Sequence, residues 1–182
     1  MNTLIIHPKD PTTEFLRPIY EDRDVMTVVR GKATRHETSV MIDKCQTPMM
    51  MGHGSPAGLW GVGQFARSFA IDGYFIQNLQ QKVGVYIWCN ADQFVRKHKL
   101  SGFYTGMFIS ESCEAWTCGV NAFRHEVTES NDLFAELMGE ATGPADMFHL
   151  AMTEYAELAE HNPVAAYNLD RMYFAPPAGM IH

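Results

Sequence analysis

Apolar residues in this chain gather into short solid blocks, separated by stretches with helical spacing. "TLIIH" (3–7), "DVMTVVRG" (24–31), "PMMM" (48–51), "VGVYIWC" (83–89) and "FYTGMFIS" (103–110) are such blocks. Runs of this length with little internal alternation predict strands buried on both faces, as in a parallel sheet. Between them, "TTEFLRPIYED" (12–22), "ATRHETSVMIDKCQ" (33–46), "GYFIQNLQQK" (73–82) and "NADQFVRKHKLSG" (90–102) predict helices. Threonines are placed to cap the first, and Pro18 should break it early. Val40, Met41 and Cys45 give the second a partial apolar face, and Ser101-Gly102 reads as the stop signal of the last. The glycine-rich "GLWGVGQFARSFAIDG" (58–73) predicts a small hairpin or loop.

After residue 111 the texture changes. "NDLFAELMGEATG" (131–143) and "PADMFHLAMTEYAELAEHN" (144–162) space Leu, Phe and Met helically, with Pro144 at a first turn. "PVAAYNLDRMYFAP" (163–176) fits a last strand or an extended tail. The pattern therefore predicts one α/β domain over 1–182, a three-layer sandwich with a mainly parallel sheet. Residues 1–112 would carry the core strands and the functional rim, and 113–182 a helical part completing the domain. In such sheets ligands bind beyond the carboxyl ends of the strands.

Composition narrows the partners. A chain of 182 residues with 46% apolar and 19% charged residues can bury a sizeable core. A net charge of −7 argues against a nucleic-acid partner, since phosphate binding needs a basic face; "RKHK" (96–99) reads as a solvated helix end. No apolar stretch approaches the roughly 18 residues of a membrane span, and the first residues lack the apolar core of a signal peptide. A cytoplasmic protein with no membrane partner is expected. Cys45, Cys89, Cys113 and Cys118 form no C-x-x-C pair, so neither a structural zinc nor another metal is expected, nor any other cofactor. "RHEVTE" (124–129) lacks the second histidine of a zinc-protease motif, and "GVGQFA" (61–66) lacks the spacing of a dinucleotide fingerprint. The twelve methionines read as core filler.

The candidate chemistry lies at two strand ends. In "MMMGHGSPAGLWG" (49–61), an apolar strand ends on His53 between two glycines, and the next long apolar strand ends on Cys89. On neighbouring parallel strands the two side chains would share one rim. A thiol is a useful nucleophile as thiolate, or when a base takes its proton during attack; His53 is placed to be that base. The backbone N–H groups of Gly54 and Cys89 are candidate oxyanion donors, and a glycine at 54 would let a substrate carbonyl approach closely.

"GHGSPAGLWG" resembles the His-Gly element of the caspase-like cysteine peptidases, the clan of caspases, metacaspases, gingipains and clostripain. "VYIWCNADQFVRKHKLSGFYTGMFISES" resembles the second element of that clan, closest in pattern to its clostripain-like form: a buried strand ending in the nucleophile, a short helix, then a strand running into Ser-Glu. His53 precedes Cys89 by 36 positions, in the clan's order. Gly52 stands where clostripain-like enzymes often carry an aspartate, and Trp88 precedes the cysteine. The resemblance spans roughly 1–112. It implies a caspase-like fold and a peptide or protein substrate, cleaved through a thioester. It also implies a pocket for the residue before the scissile bond near Ser110, Glu111 and Ser112, where Glu111 would pair with a basic side chain. Ser110 or Ser112 read equally well as a helix cap. Two rival readings are a catalytically silent scaffold serving as adaptor or small-molecule sensor, and a flavodoxin-like binding domain. The sequence sets no oligomeric state.

Overall fold

The computed structural model describes residues 2–23, 27–31, 33–61, 68–177 and 179. Its strands are β1 (Thr3–Ile6), β2 (Thr27–Val29), β3 (Thr47–Met51), β4 (Gly54–Ser55), β5 (Gly58–Trp60), β6 (Phe69–Ile71), β7 (Val83–Ile87), β8 (Ser101–Thr105) and β9 (Met172–Ala175). The helices are α1 (Pro18–Glu21), α2 (Arg35–Lys44), α3 (Ile76–Leu79), α4 (Ala91–His98), α5 (Ser112–Thr117), α6 (Arg124–Glu140), α7 (Pro144–Leu150), α8 (Ala156–Ala159) and α9 (Pro163–Leu169). A six-stranded sheet runs in the order β2-β1-β3-β7-β8-β9, its first five strands parallel and β9 antiparallel on the edge. A small antiparallel sheet, β4-β5-β6, stands beside it.

Successive strand residues point to opposite layers, and both layers are full. Ile5, Met49, Met51, Val85, Ile87 and Phe103 enter one core, beneath Leu16, Ile19, Phe134, Met138, Met147 and Tyr155 of the helices on that side. Leu4, Ile6, Met50, Tyr86, Trp88 and Tyr104 enter the other, against Ile42, Leu79, Phe94 and Val95 and against Leu59 and Ile71 of the small sheet. The molecule is thus an α/β protein with a mainly parallel mixed sheet between helical layers, because apolar runs without internal alternation can be satisfied only by cover on both faces. No helix among the described residues is long and apolar enough to cross a membrane.

Several elements differ from expectation for local reasons. The helix expected over 12–22 is a 3-10 turn, Pro11–Leu16, followed by α1, with Pro18 starting the new helix. Its cap is Asp10, which accepts from the Thr12 N–H, and no threonine caps it. The buried side of α2 is Thr38 and Ile42, followed by Cys45, whereas Val40 and Met41 are half-buried. Residues 90–102 are split: Lys99 turns left-handed at φ 53° and ends α4, and Ser101-Gly102 opens β8 rather than closing the helix. β8 stops at Thr105, so 106–110 leave the sheet. The final segment is both α9 and β9. Residues 24–26 of the expected second strand and 62–67 of the glycine-rich stretch lie outside the described residues.

Candidate functional site at the carboxyl ends of β3 and β7

β3 and β7 pair in parallel, Met51 opposite Ile87, and the Gly52 N–H extends the ladder to the Ile87 carbonyl at 3.0 Å. His53 and Cys89 each follow two residues later, so both stand just beyond two hydrogen-bonded strand tips. Gly52 has φ 138°, a backbone region L side chains rarely adopt, and here the chain leaves β3 toward the small sheet. The His53 carbonyl accepts from the Trp60 N–H at 2.8 Å, which anchors the histidine's backbone. His53 and Trp60 are therefore a hydrogen-bonded pair, and the next pair, Gly54 and Leu59, is a non-bonded one that leaves the Gly54 N–H outside this ladder.

A side chain at position 54 would meet Trp88: a Cβ there would stand 2.2 Å from the indole Cδ1 and 2.8 Å from the Gly58 carbonyl oxygen. Gly54 is thus demanded by the packing of Trp88. The indole N–H in turn donates to the Ser55 carbonyl at 3.1 Å.

Cys89 sits in a sharp strand-to-helix turn. Asn90 has φ 64°, the left-handed conformation that asparagine tolerates better than most residues. Its N–H donates to the Gly106 carbonyl at 3.0 Å, and Ala91 N–H returns to the Trp88 carbonyl at 3.1 Å. Among the described residues the Cys89 N–H donates to no backbone carbonyl. The thiol is partly exposed and contacts the Phe108 carbonyl at 3.7 Å. Burial, and then the Glu114 carboxylate, push it up to about 11.

The imidazole of His53 is held on the other side of the rim. Its Nε2 lies 2.6 Å from the Thr12 hydroxyl and 3.9 Å from Oδ1 of Asp10. Thr12 donates its hydroxyl at 2.6 Å and its N–H at 3.0 Å to that same Oδ1. These two contacts, chiefly the hydroxyl's, hold the Asp10 carboxyl below the usual range. Asp10 and Thr12 follow β1, whose end adjoins that of β3. The main sheet reverses its winding between these strands, the position where open α/β sheets bind ligands. Sequence reasoning passed over both residues; the available signal was an acid and a hydroxyl directly after the first strand, at a winding reversal visible only once the strand order is known.

Phe15, Leu16 and Ile19, in the segment after Thr12, pack in the same core as Phe108, which the thiol touches. The partner of His53, Thr12, and the partner of Cys89, Phe108, thus belong to segments that pack in one core. No hydrogen bond joins the imidazole and the thiol, each being occupied by its own partner.

Ser110, Glu111 and Ser112 lie on the segment leading from Phe108 into α5. Glu111 is the N-cap residue of α5, and Glu114 reaches back to accept from Ser110 N–H at 2.8 Å, the Ser110 hydroxyl at 3.0 Å and Glu111 N–H at 3.1 Å. The cap is therefore made by Glu111 and Glu114, and neither Ser110 nor Ser112 supplies it. Ser112 is exposed, and Glu111 makes no ion pair among the described residues. Asn131 of α6 donates to the Ser110 carbonyl at 2.9 Å, and Asn168 of α9 holds both backbone groups of Ile109.

A cavity of about 300 Å³ opens elsewhere, beyond β1 and β2, lined in part by Pro8, Arg30, Arg35, Phe69 and Phe75. Its two arginines are paired with Glu14 and Asp72, and it includes none of the rim residues above. Among the described residues no group of three acids, histidines or cysteines is arranged to hold a metal. The four cysteines are free thiols. No protein-family model, curated protein or solved structure matches the chain.

Proposed function

We propose that this chain is a cysteine peptidase of the caspase-like clan, clostripain-like in pattern, acting on peptide or protein substrates in the cytoplasm without a cofactor. Cys89 attacks the scissile carbonyl carbon while His53 takes the thiol proton. The carbonyl oxygen, now negative, is held by the N–H groups of Cys89 and Gly54. His53 then gives the proton to the departing amine, leaving a thioester that water cleaves. Ser110, Glu111 and Ser112 border the pocket for the residue before the scissile bond, and the Glu111 carboxylate pairs with a basic side chain there.

The observation that supports this reading is that His53 and Cys89 each stand two residues past the paired tips, Met51 and Ile87, of two parallel strands. The thiol, pushed up to about 11, is neutral at rest, so this reading requires that His53 take its proton during attack. A thiol-directed peptide probe should label wild-type protein and fail on Cys89→Ala, while Cys45→Ala, Cys113→Ala and Cys118→Ala still label. Labelling that survives Cys89→Ala defeats the assignment.

The second reading is a catalytically silent scaffold of the same fold. It is favoured by the thiol's contact with the Phe108 carbonyl and the imidazole's engagement with Thr12. Turnover of a peptide library with a preference for basic residues, weakened in Glu111→Gln, decides for the enzyme. Absence of turnover together with an unreactive Cys89 decides for the scaffold.

A further inference from the structure

The contacts around His53 constrain where its proton can be. Asp10 is a carboxylate held in its charged form, so its oxygens only accept. A threonine hydroxyl has a single proton. The 2.6 Å contact between Thr12 Oγ1 and Asp10 Oδ1 requires that proton, since two oxygens at this distance without one would repel. The 2.6 Å contact between Thr12 Oγ1 and His53 Nε2 then has to be made by a proton on nitrogen. The hydroxyl's remaining lone pairs receive it. Nδ1 of His53 has no hydrogen-bond partner among the described residues.

We infer that Asp10 and Thr12 are positioning residues that fix His53 as its Nε2–H tautomer, which leaves Nδ1 as the ring's only acceptor and so the atom that takes the Cys89 proton. The last clause rests on the peptidase reading; the tautomer does not. The chain of donors runs one way, from imidazole to hydroxyl to carboxylate. It also holds the ring against rotation, because the His53 backbone is anchored separately through the Trp60 N–H. A base presented in the wrong tautomer offers an N–H where an acceptor is needed, and fixing the tautomer is a recognised duty of the acid in hydrolase triads. Here that duty passes through an intervening hydroxyl supplied from the loop after β1.

The test is nitrogen NMR on the full chain labelled in histidine, at alkaline pH, with His53 assigned by its loss in His53→Gln. Wild type should show the Nε2–H form. Thr12→Ser should keep it, and Thr12→Val should give a mixture of both forms. Asp10→Asn provides a second, differently acting variant. An asparagine that donates its amide to Oγ1 frees the threonine proton for Nε2, so the tautomer should shift toward Nδ1–H with all heavy atoms in place. An Nδ1–H ring in wild type, or a tautomer unmoved by both Thr12→Val and Asp10→Asn, overturns the inference. With a peptide substrate, Thr12→Val and Asp10→Asn should lower kcat by about 10²-fold, the usual cost of a misplaced catalytic group, with KM unchanged and Thr12→Ser restoring the rate. If no variant, wild type included, turns over any peptide, the peptidase reading fails while the spectra still decide the tautomer.

Discussion

Cys89 carries its proton in the resting protein, for two separable reasons: burial of the thiol, and the Glu114 carboxylate nearby. The thiolate is the reactive species, so with a pKa of about 11 only about one thiol in a thousand is ionised near pH 8. Iodoacetamide should therefore modify Cys89 slowly at that pH, read by mass spectrometry of its peptide. The rate at Cys89 should go on rising with pH well beyond the ordinary thiol range. Glu114→Gln separates the two causes. The amide oxygen still accepts from Ser110 and Glu111, so α5 keeps its start, but the negative charge is gone. Removing a negative charge favours the thiolate, so the thiol pKa should fall and alkylation at fixed pH should accelerate severalfold. An unchanged rate would leave burial as the whole cause.

A polar clamp sets the segment beside the rim. Asn168 of α9 is fully buried; its Oδ1 accepts from Ile109 N–H at 2.7 Å and its Nδ2 donates to the Ile109 carbonyl at 2.9 Å. Because 106–110 have left the sheet, no ladder satisfies these groups, and a side chain from 59 residues away does so instead. Asn168→Leu should cost about 2–4 kcal/mol in urea denaturation, since two buried backbone groups lose their partners. The stretch 103–110 shows why the sequence pattern overreached: Phe108 and Ile109 are as buried as strand residues, but the polar groups of Ile109 are served by α9 and the Phe108 carbonyl by the Cys89 thiol. Burial is written in residue type, whereas the partner of a backbone amide is not. β1, β3 and β7 were legible because they are covered on both faces and read as unbroken apolar runs. The Ser101-Gly102 pair misled because glycine serves a strand here as well as it serves a helix end elsewhere. For the site, the two strand-end residues His53 and Cys89 were visible as irregular polar endings to apolar runs. Asp10 and Thr12 were not, because nothing local links a threonine to a histidine 41 residues later; that link exists only through the β1-β3 pairing. Gly54 was legible as a glycine at the strand end, but its packing against Trp88 was not. Gly54→Ala should lower stability by about 1–3 kcal/mol by overpacking Trp88, which thermal denaturation would show.

At the scale of the molecule, the loop that orients His53 is itself tied down by a second histidine. His7, at the end of β1, is fully buried, with Nδ1 2.9 Å from the Tyr20 hydroxyl and Nε2 3.1 Å from the Thr13 hydroxyl. It thereby joins the end of β1, before Asp10 and Thr12, to Thr13 of the 3-10 turn and Tyr20 of α1, after them. Burial, and then the Arg30 guanidinium, lower its pKa from 6.5 to about 4. Protonation is thus easier in the unfolded chain than in the folded one. Above pH 6.5 both states hold a neutral ring and the full stability is present. As pH falls from 6.5 toward 4 the unfolded chain takes up the proton first, and stability drains by about 3 kcal/mol in total. Urea titrations across this window should show that loss, and His7→Gln, which cannot ionise, should remove most of it. A loss over this window that persists in His7→Gln would assign it to another group, and not to Asp10, whose lowered pKa confines its contribution to more acidic conditions. The neutral state of His7 also bears on the rim. A charged imidazole could not remain dry between Tyr20 and Thr13, and admitting water there would loosen the loop on which Thr12 reaches His53. At pH 4 the backbone amides of the segment from Pro11 to Leu16 should therefore exchange faster in wild type than in His7→Gln, a difference that hydrogen-exchange mass spectrometry would read.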